Sequence, residues 1–204
     1  LVKTKSCNPF QGAKLLILIF IQAMNYNLNN PIGIDKEVQK IQNYLHGSLV
    51  ESWGDIDAYG RVYKNRKQLG FIPEVYKGRN EYLDAFYDDS ENAKGIMFFL
   101  ENHDHQSADG VVFKTRIKIC FMLNLDEIGY DDDERADVVV QEKVVSILNK
   151  SAINNFTITG LEKTVRNVFY GYTYTDVELE TDMHPLHTFA IIGDLEYYLT
   201  EKCN

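Results

Sequence analysis

Val111-Val112-Phe113-Lys114-Thr115-Arg116-Ile117-Lys118-Ile119-Cys120-Phe121-Met122-Leu123-Asn124-Leu125 decides how this chain is read. Phe113, Thr115, Ile117, Ile119, Phe121, Leu123 and Leu125 fall on one side of an extended strand, with Lys114, Arg116 and Lys118 on the other. Alternation with a period of two is the mark of a strand with one buried face. At about 3.3 Å per residue such a strand reaches some 40 Å, well beyond the usual length.

The sequence beyond it supplies a partner layer. Ala136, Val140, Val144 and Ile147 make an apolar helical stripe flanked by Val145 and Leu148, with Lys150 at the carboxyl end. The acids Asp131 to Glu134 sit where a helix N-terminus favours negative charge. Leu161, Val165, Val168 and Phe169 suggest another short helix. Thr173, Thr175, Val177 and Leu179 form one further alternating strand, and Phe189, Ile191, Leu195, Tyr197 and Leu199 form a last one.

Upstream, Ile34, Val38, Ile41, Leu45 and Leu49 predict an amphipathic helix over 35–50, with Asp35 as N-cap and Gly47 weakening its last turn. Trp53-Gly54-Asp55 closes it, and the Trp reads as a core or interface anchor. Asp57–Lys64 and Ile72–Lys77 read as two short strands joined by a turn holding Asn65 and Gly70. Tyr59, Arg61 and Tyr63 would share one side of the first. Glu81–Asp89 carries no clear period, and Tyr82, Phe86 and Tyr87 suit a sheet-edge cover. Lys94–Glu101 holds the run Ile96 to Leu100, a strand buried on both faces, and Asn102–Gly110 reads as a loop. The fold class is therefore α+β: an antiparallel sheet packed by two main amphipathic helices. Residues 1–33 form an N-terminal arm or extension, and 34–204 a single domain with an inserted segment near 65–95.

Charge and cysteine usage narrow the function classes. The chain of 204 residues carries a net −9; its first 24 residues hold three lysines and no acid, which leaves 18 bases against 30 acids in the rest. An acidic surface repels phosphate and argues against a dedicated nucleic-acid binder. The row Lys114, Arg116, Lys118 is either a local basic patch or a solvated strand face, and the second reading is favoured. Cys7, Cys120 and Cys203 suggest neither a disulfide framework nor a zinc site, and fit a reducing compartment. Lys3, Lys5 and Lys14 before the apolar run Leu15–Ile21 give two readings. One is a secretion signal ending near Ala23; the other, preferred, is an upstream extension of a reading frame that starts at Met24.

Candidate chemistry is thin. His103-Asp104-His105 and His184-Pro185-Leu186-His187 offer imidazole and carboxylate ligands to a shared metal, but Pro185 breaks the helical spacing zinc sites use. Asp55-x-Asp57-x-Tyr59-Gly60 opens like a calcium loop, yet its twelfth position is Arg66, a cation where the ion needs a bidentate acid. Acid pairs such as Asp88/Asp89 arise by chance among 30 acids. Neither a nucleophile elbow nor a phosphate-binding glycine loop occurs. Asn149-Lys150-Ser151 and Asn155-Phe156-Thr157 match glycosylation sequons, which matter only in a eukaryotic secretory path. No catalytic, cofactor or metal residue is assigned.

The layout has a family resemblance. An N-terminal amphipathic helix, a small antiparallel sheet and a helix after a long strand lead to Met183-His184-Pro185-Leu186-His187-Thr188-Phe189-Ala190-Ile191 and on into Asp194-Leu195-Glu196-Tyr197-Tyr198-Leu199. This resembles the tail-terminator and neck-ring proteins of tailed bacteriophages over roughly residues 34–200. The polar opening from Met24 and the Tyr/Asn/Asp-rich composition resemble structural proteins of crAss-like phages. The resemblance implies a non-enzymatic homo-oligomeric ring in the head–tail connector or at the tail end, assembled in the host cytoplasm into the virion. It implies contacts with other neck, portal-adaptor or tail proteins and DNA passing through without specific binding, with no cofactor and no membrane. Residues 1–23 and 65–95 depart from the family picture. A secreted or periplasmic binding module, with residues 1–23 as signal peptide, is the alternative; a metal-dependent enzyme using the histidines comes third.

Overall fold

A computed structural model describes residues 25–54, 56–68, 70–85, 94–102, 104–130, 136–151, 153–174 and 183–199. In chain order its elements are α1 (Gly33–Trp53), β1 (Asp57–Arg61), β2 (Tyr63–Lys67), β3 (Gly70–Gly78), β4 (Glu81–Asp84), β5 (Gly95–Glu101), β6 (Val112–Asn124), α2 (Ala136–Lys150), β7 (Phe156–Glu162), α3 (Val165–Val168) and β8 (Leu186–Tyr198). Five strands form one sheet in the order β1-β5-β6-β8-β7, parallel only between β1 and β5; β2-β3-β4 form a second, antiparallel sheet. The helices α1 and α2 pack on one face of the large sheet. The small sheet and α3 cover part of the other. The fold is α+β, as the sequence predicts.

The β6–β8 ladder is the spine. Thirteen cross-strand pairs run from Val112–Tyr198 to Asn124–Leu186. Ile117, Ile119, Phe121 and Leu123 of β6 and Phe189, Ile191, Leu195 and Tyr197 of β8 enter the helix-side core, where the alternation places them. The opposite side of β6 is polar only through Lys118; Cys120 and Met122 beyond it are buried under the small sheet and α3. In β5, Met97 and Phe99 face the helices while Phe98 and Leu100 face the other core, as a doubly buried strand requires.

The helix α1 outruns its predicted bounds at both ends. Its N-cap position is Ile32, which provides no side-chain cap bond, so Asp35 belongs to the first turn instead of capping it. Gly54 closes the helix at φ 71°, in the left-handed region, and donates its N–H to the Val50 carbonyl at 3.0 Å. Gly47 does not fray the end, because Leu45, Leu49 and Trp53 on either side are anchored in the core. A Cβ at Gly47 would meet no atom within 4 Å. Gly47→Ala should therefore stabilise the protein by about 0.5–1 kcal/mol through chain entropy alone, read as a raised urea midpoint at unchanged slope.

The predicted strand Asp57–Lys64 is two strands in different sheets. Pairing of β1 with β5 shifts register between Ala58 and Arg61, and Val62 donates to the Phe99 carbonyl before the chain turns away to pair with β3. Tyr59 therefore enters the outer core and Arg61 faces α1, so Tyr59, Arg61 and Tyr63 share no side. Asn65 lies inside β2 rather than in the turn. The aperiodic region yields β4, where Tyr82 stands opposite Tyr76 in the small sheet instead of covering an edge. Phe86 and Tyr87 lie outside the described residues.

In α2 the central line is Ala136, Val140, Val144 and Leu148, with Ile147 and Val145 flanking, a one-residue rotation from the predicted stripe. Strand β7 has no counterpart in the prediction, and Leu161, predicted helical, lies within it. The helical part of that prediction is one turn, α3, whose Thr164 hydroxyl accepts from the Asn167 N–H. The strand predicted from Thr173 to Leu179 lies outside the described residues beyond Tyr174, as do Asp131 to Glu134.

Candidate functional site

Alternation along β5 sets Met97, Phe99 and Glu101 on the helix side, so the strand ends by bringing a carboxylate to the mouth of the core. The Glu101 side chain is only 3% exposed and pairs with Arg61 through one oxygen and with His105 Nε2 through the other. Arg61 also grips Asp35 at the start of α1, Nε to Oδ1 at 2.9 Å and Nη2 to Oδ2 at 3.2 Å. On the far side, His105 Nδ1 lies 2.7 Å from the Tyr197 hydroxyl, with the two rings edge-on. A carboxylate only accepts, so a neutral His105 donates Nε2–H to Glu101 and leaves Nδ1 to accept from Tyr197.

This chain of five groups joins α1, β1, β5, the loop after it and the C-terminal end of β8. Burial opposes the Arg61 charge, but bonds from Asp35 and Glu101 outweigh it and hold the guanidinium above its ordinary pKa. Burial, then the Glu101 charge, raises the Tyr197 phenol, which therefore stays a neutral donor. The relay resembles acid–base machinery on paper. Neither His105 nor Tyr197 lines a described cavity, however, and Tyr197 is 3% exposed within the core. Its geometry is that of a clamp on the open end of the fold.

Two cavities flank the clamp. One, of about 290 Å³, lies between α1, the segment 26–29 and the small sheet, with Asp35, Arg61 and Glu101 in its wall. Gln39 and Gln42 of α1 pin its outer strap: Gln39 accepts from the Leu28 N–H at 2.8 Å, and Gln42 donates to the Tyr26 and Ala58 carbonyls. The other, of about 450 Å³, lies on the outer face of the large sheet, where Lys64, Arg116, Lys118, Glu162, Tyr170 and Tyr172 meet.

The row of cations on β6 is neither a free basic patch nor a simply solvated face, since each cation contacts an acid of β7 or β8. Asp194, directly opposite Arg116, contacts Lys114 at 3.1 Å and Arg116 at 3.5 Å, and Glu162 of β7 holds Lys118 at 2.7 Å. Lys118 also donates to the Asn167 and Val168 carbonyls at the end of α3.

The histidines divide between opposite ends of the ladder. His105 packs on Tyr197 at the C-terminal end of β8 and His187 stands at its start, roughly 30 Å away by strand rise. His103 lies outside the described residues, and among the described residues no three His, Cys, Asp or Glu gather at metal distance. The calcium-like stretch is extended at Asp57 and Tyr59, and its Tyr59 hydroxyl bonds Asp57 at 3.3 Å. Cys120 is fully buried, and burial pushes its thiol far up, away from reactivity. In the second sequon, Asn155 Nδ2 bridges Glu37 at 2.8 Å and the Glu196 carbonyl at 2.9 Å, a structural tie between α1 and β8.

His187 carries a pH signature. Its ring stacks on Phe189, and its Nε2 lies 2.9 Å from Nε2 of the buried Gln141, so it accepts from that amide. Burial lowers its pKa. A histidine held neutral in the fold binds its proton more readily when unfolded. Stability is therefore full above the unfolded value near 6.5 and declines as pH falls below it toward the folded value. His187→Gln should flatten that part of the curve in urea titrations at successive pH values. An unchanged pH dependence would assign the loss elsewhere.

Compared with known proteins, the chain matches no family model and no curated relative.

Proposed function

We propose that this chain is a structural subunit of a homo-oligomeric ring in the neck or at the tail end of a tailed bacteriophage, serving head–tail joining or tail termination without catalysis. The observation that carries this reading is the unequal treatment of the two edges of the large sheet. At β1, Asn25 bridges to Ala58 and Tyr26 donates to the Ala58 carbonyl at 2.9 Å, so that edge is covered. At the other end β7 pairs with β8 on one side, and among the described residues no strand pairs with its other side. Leu161 in that strand is 37% exposed. An open edge is a surface on which a sheet continues from one copy to the next.

The charge suits the same role. A subunit whose residues 25–204 carry 12 more acids than bases presents a lumen that repels passing DNA instead of holding it. Other neck, portal-adaptor or tail proteins of the virion would be its partners.

Native mass measurement and negative-stain microscopy test the reading, on the protein alone and with its neighbouring virion proteins. A ring is expected, and Leu161→Lys should disperse it without lowering the melting temperature, because a lysine on an edge strand disfavours further pairing. A protein that stays monomeric in both settings would sink the proposal. The two cavities favour the second reading, a secreted or periplasmic binding module.

A further inference from the structure

We propose that the larger cavity, on the outer face of the sheet, binds a small aromatic anion: a flat ring carrying a carboxylate or a phosphate. The inference goes beyond the ring reading and does not depend on it, since every residue involved belongs to one subunit. Its floor is the outer surface of the strands, through Leu100, Arg116, Thr159 and Ile192; its roof is Lys64 of β2 and the turn after α3. A volume of about 450 Å³ falls within the range of small-ligand sites, roughly 300–1,000 Å³.

Positive charge here is in surplus. Lys64 holds its ammonium 5.1 Å from the Phe71 ring centre and 5.1 Å from that of Tyr172, a cation partnered by ring faces with no carboxylate in ion-pair contact among the described residues. Arg116 meets Asp194 only through Nε at 3.5 Å, and Asp194 is shared with Lys114. The terminal nitrogens of Arg116, the pair suited to a bidentate carboxylate or phosphate contact, have no partner among the described residues. Lys118 is neutralised by Glu162, and Glu101, the remaining acid in the wall, is engaged by Arg61 and His105. An anion is the complement of Lys64 and of the terminal nitrogens of Arg116.

The ring half of the ligand follows from the aromatic wall. Tyr172 lines the cavity, and burial pushes its phenol up to about 12, so it does not compete as an anion. Tyr170 stands at the rim, 86% exposed, an aromatic side chain with nothing packed over most of its surface. A flat ring can lie against these tyrosines while its charged group reaches Lys64 and Arg116. A phosphate without a ring would use half of the site, and a neutral ring the other half.

Calorimetric titration with four probes tests this: benzoate, phenyl phosphate, benzamide as the neutral isostere and inorganic phosphate as the ringless anion. Benzoate or phenyl phosphate should bind saturably with one site per chain, and benzamide and inorganic phosphate at least about tenfold more weakly. Lys64→Gln and Arg116→Gln should each weaken the aromatic anion about tenfold, while Lys64→Arg keeps it. The Arg116 side chain is 57% exposed, so Arg116→Gln keeps the test clear of folding defects should Lys64→Gln disturb the small sheet. Equal affinity for benzamide and benzoate overturns the proposal. So does unchanged binding in Arg116→Gln, and so does the absence of saturable heat with all four probes.

Discussion

Phe121→Ala is expected to lower the unfolding free energy by about 3–5 kcal/mol, a large share of the 5–15 kcal/mol typical of a folded domain. Phe121 is fully buried in the β6–β8 ladder, three pairs from its Asn124–Leu186 end. Its ring stacks on Phe189, its direct cross-strand partner, with centres 4.9 Å apart and planes at 11°, and it meets Trp53 of α1 edge-on at 6.4 Å. Truncation removes the ring that joins sheet to helix. Thirteen consecutive pairs hold β6 and β8 in place, so the walls cannot collapse into the void. Phe121→Leu keeps most of the volume and should cost clearly less than Ala. Urea unfolding followed by circular dichroism would measure both, and an Ala cost under about 1 kcal/mol would mean that the core is centred elsewhere.

How much of this was legible in the sequence depends on whether a residue's role is local. Ile117 to Leu123, Phe189 to Tyr197 and Val38 to Leu49 answer to a single period, and burial follows that period because each element packs on one broad apolar layer. Strand β5 was legible because an unbroken apolar run has no polar face to expose. The break at Val62 was not: a register shift against β5, which lies more than thirty residues downstream, decides where β1 ends. In β7 the alternation of Phe156 and Ile158 with Thr157 and Thr159 is present, but Gly160 interrupts it and leaves too short a run to mark a strand.

The clamp was hidden for a stronger reason. Asp35 read as a cap, Arg61 as part of a tyrosine face, His105 as a loop residue weighed and set aside as a metal ligand, and Glu101 as the end of a strand, and each of those readings is local. Their actual partners lie 26, 40 and 92 residues apart in sequence. A polar residue at the end of an apolar strand was the one available signal, since Glu101 falls on the buried side of the β5 alternation. A carboxylate on a core-facing position demands a cation, and the sequence does not say which.

That demand gives the second large effect: Glu101→Leu should cost about 3–5 kcal/mol, because it removes at once two hydrogen bonds to a charged group, each contributing about 1.5–3 kcal/mol. Among the described residues Glu101 is the group that touches both Arg61 and His105, and its side chain is 3% exposed, so water cannot take its place cheaply. Arg61 would keep Asp35, but the bridge from α1 and β1 to the Tyr197 end of β8 would be cut. Arg61→Met alone should also be costly, since it leaves the buried carboxylate with His105 as its remaining partner. The double variant Arg61→Met/Glu101→Leu leaves neither charge unmatched with the other and fills their space with apolar atoms of similar size. It should therefore cost less than the sum of the singles, with a coupling of about 1–3 kcal/mol. The exposed Lys114–Asp194 pair is the contrast, because at 53% exposure of its lysine its coupling should fall below about 1 kcal/mol and fade in salt. Denaturant unfolding of the four proteins of each cycle, at low and high salt, measures both couplings. Additive costs at Arg61 and Glu101 would mean that the two residues sit side by side without the clamp bearing on the stability of the fold.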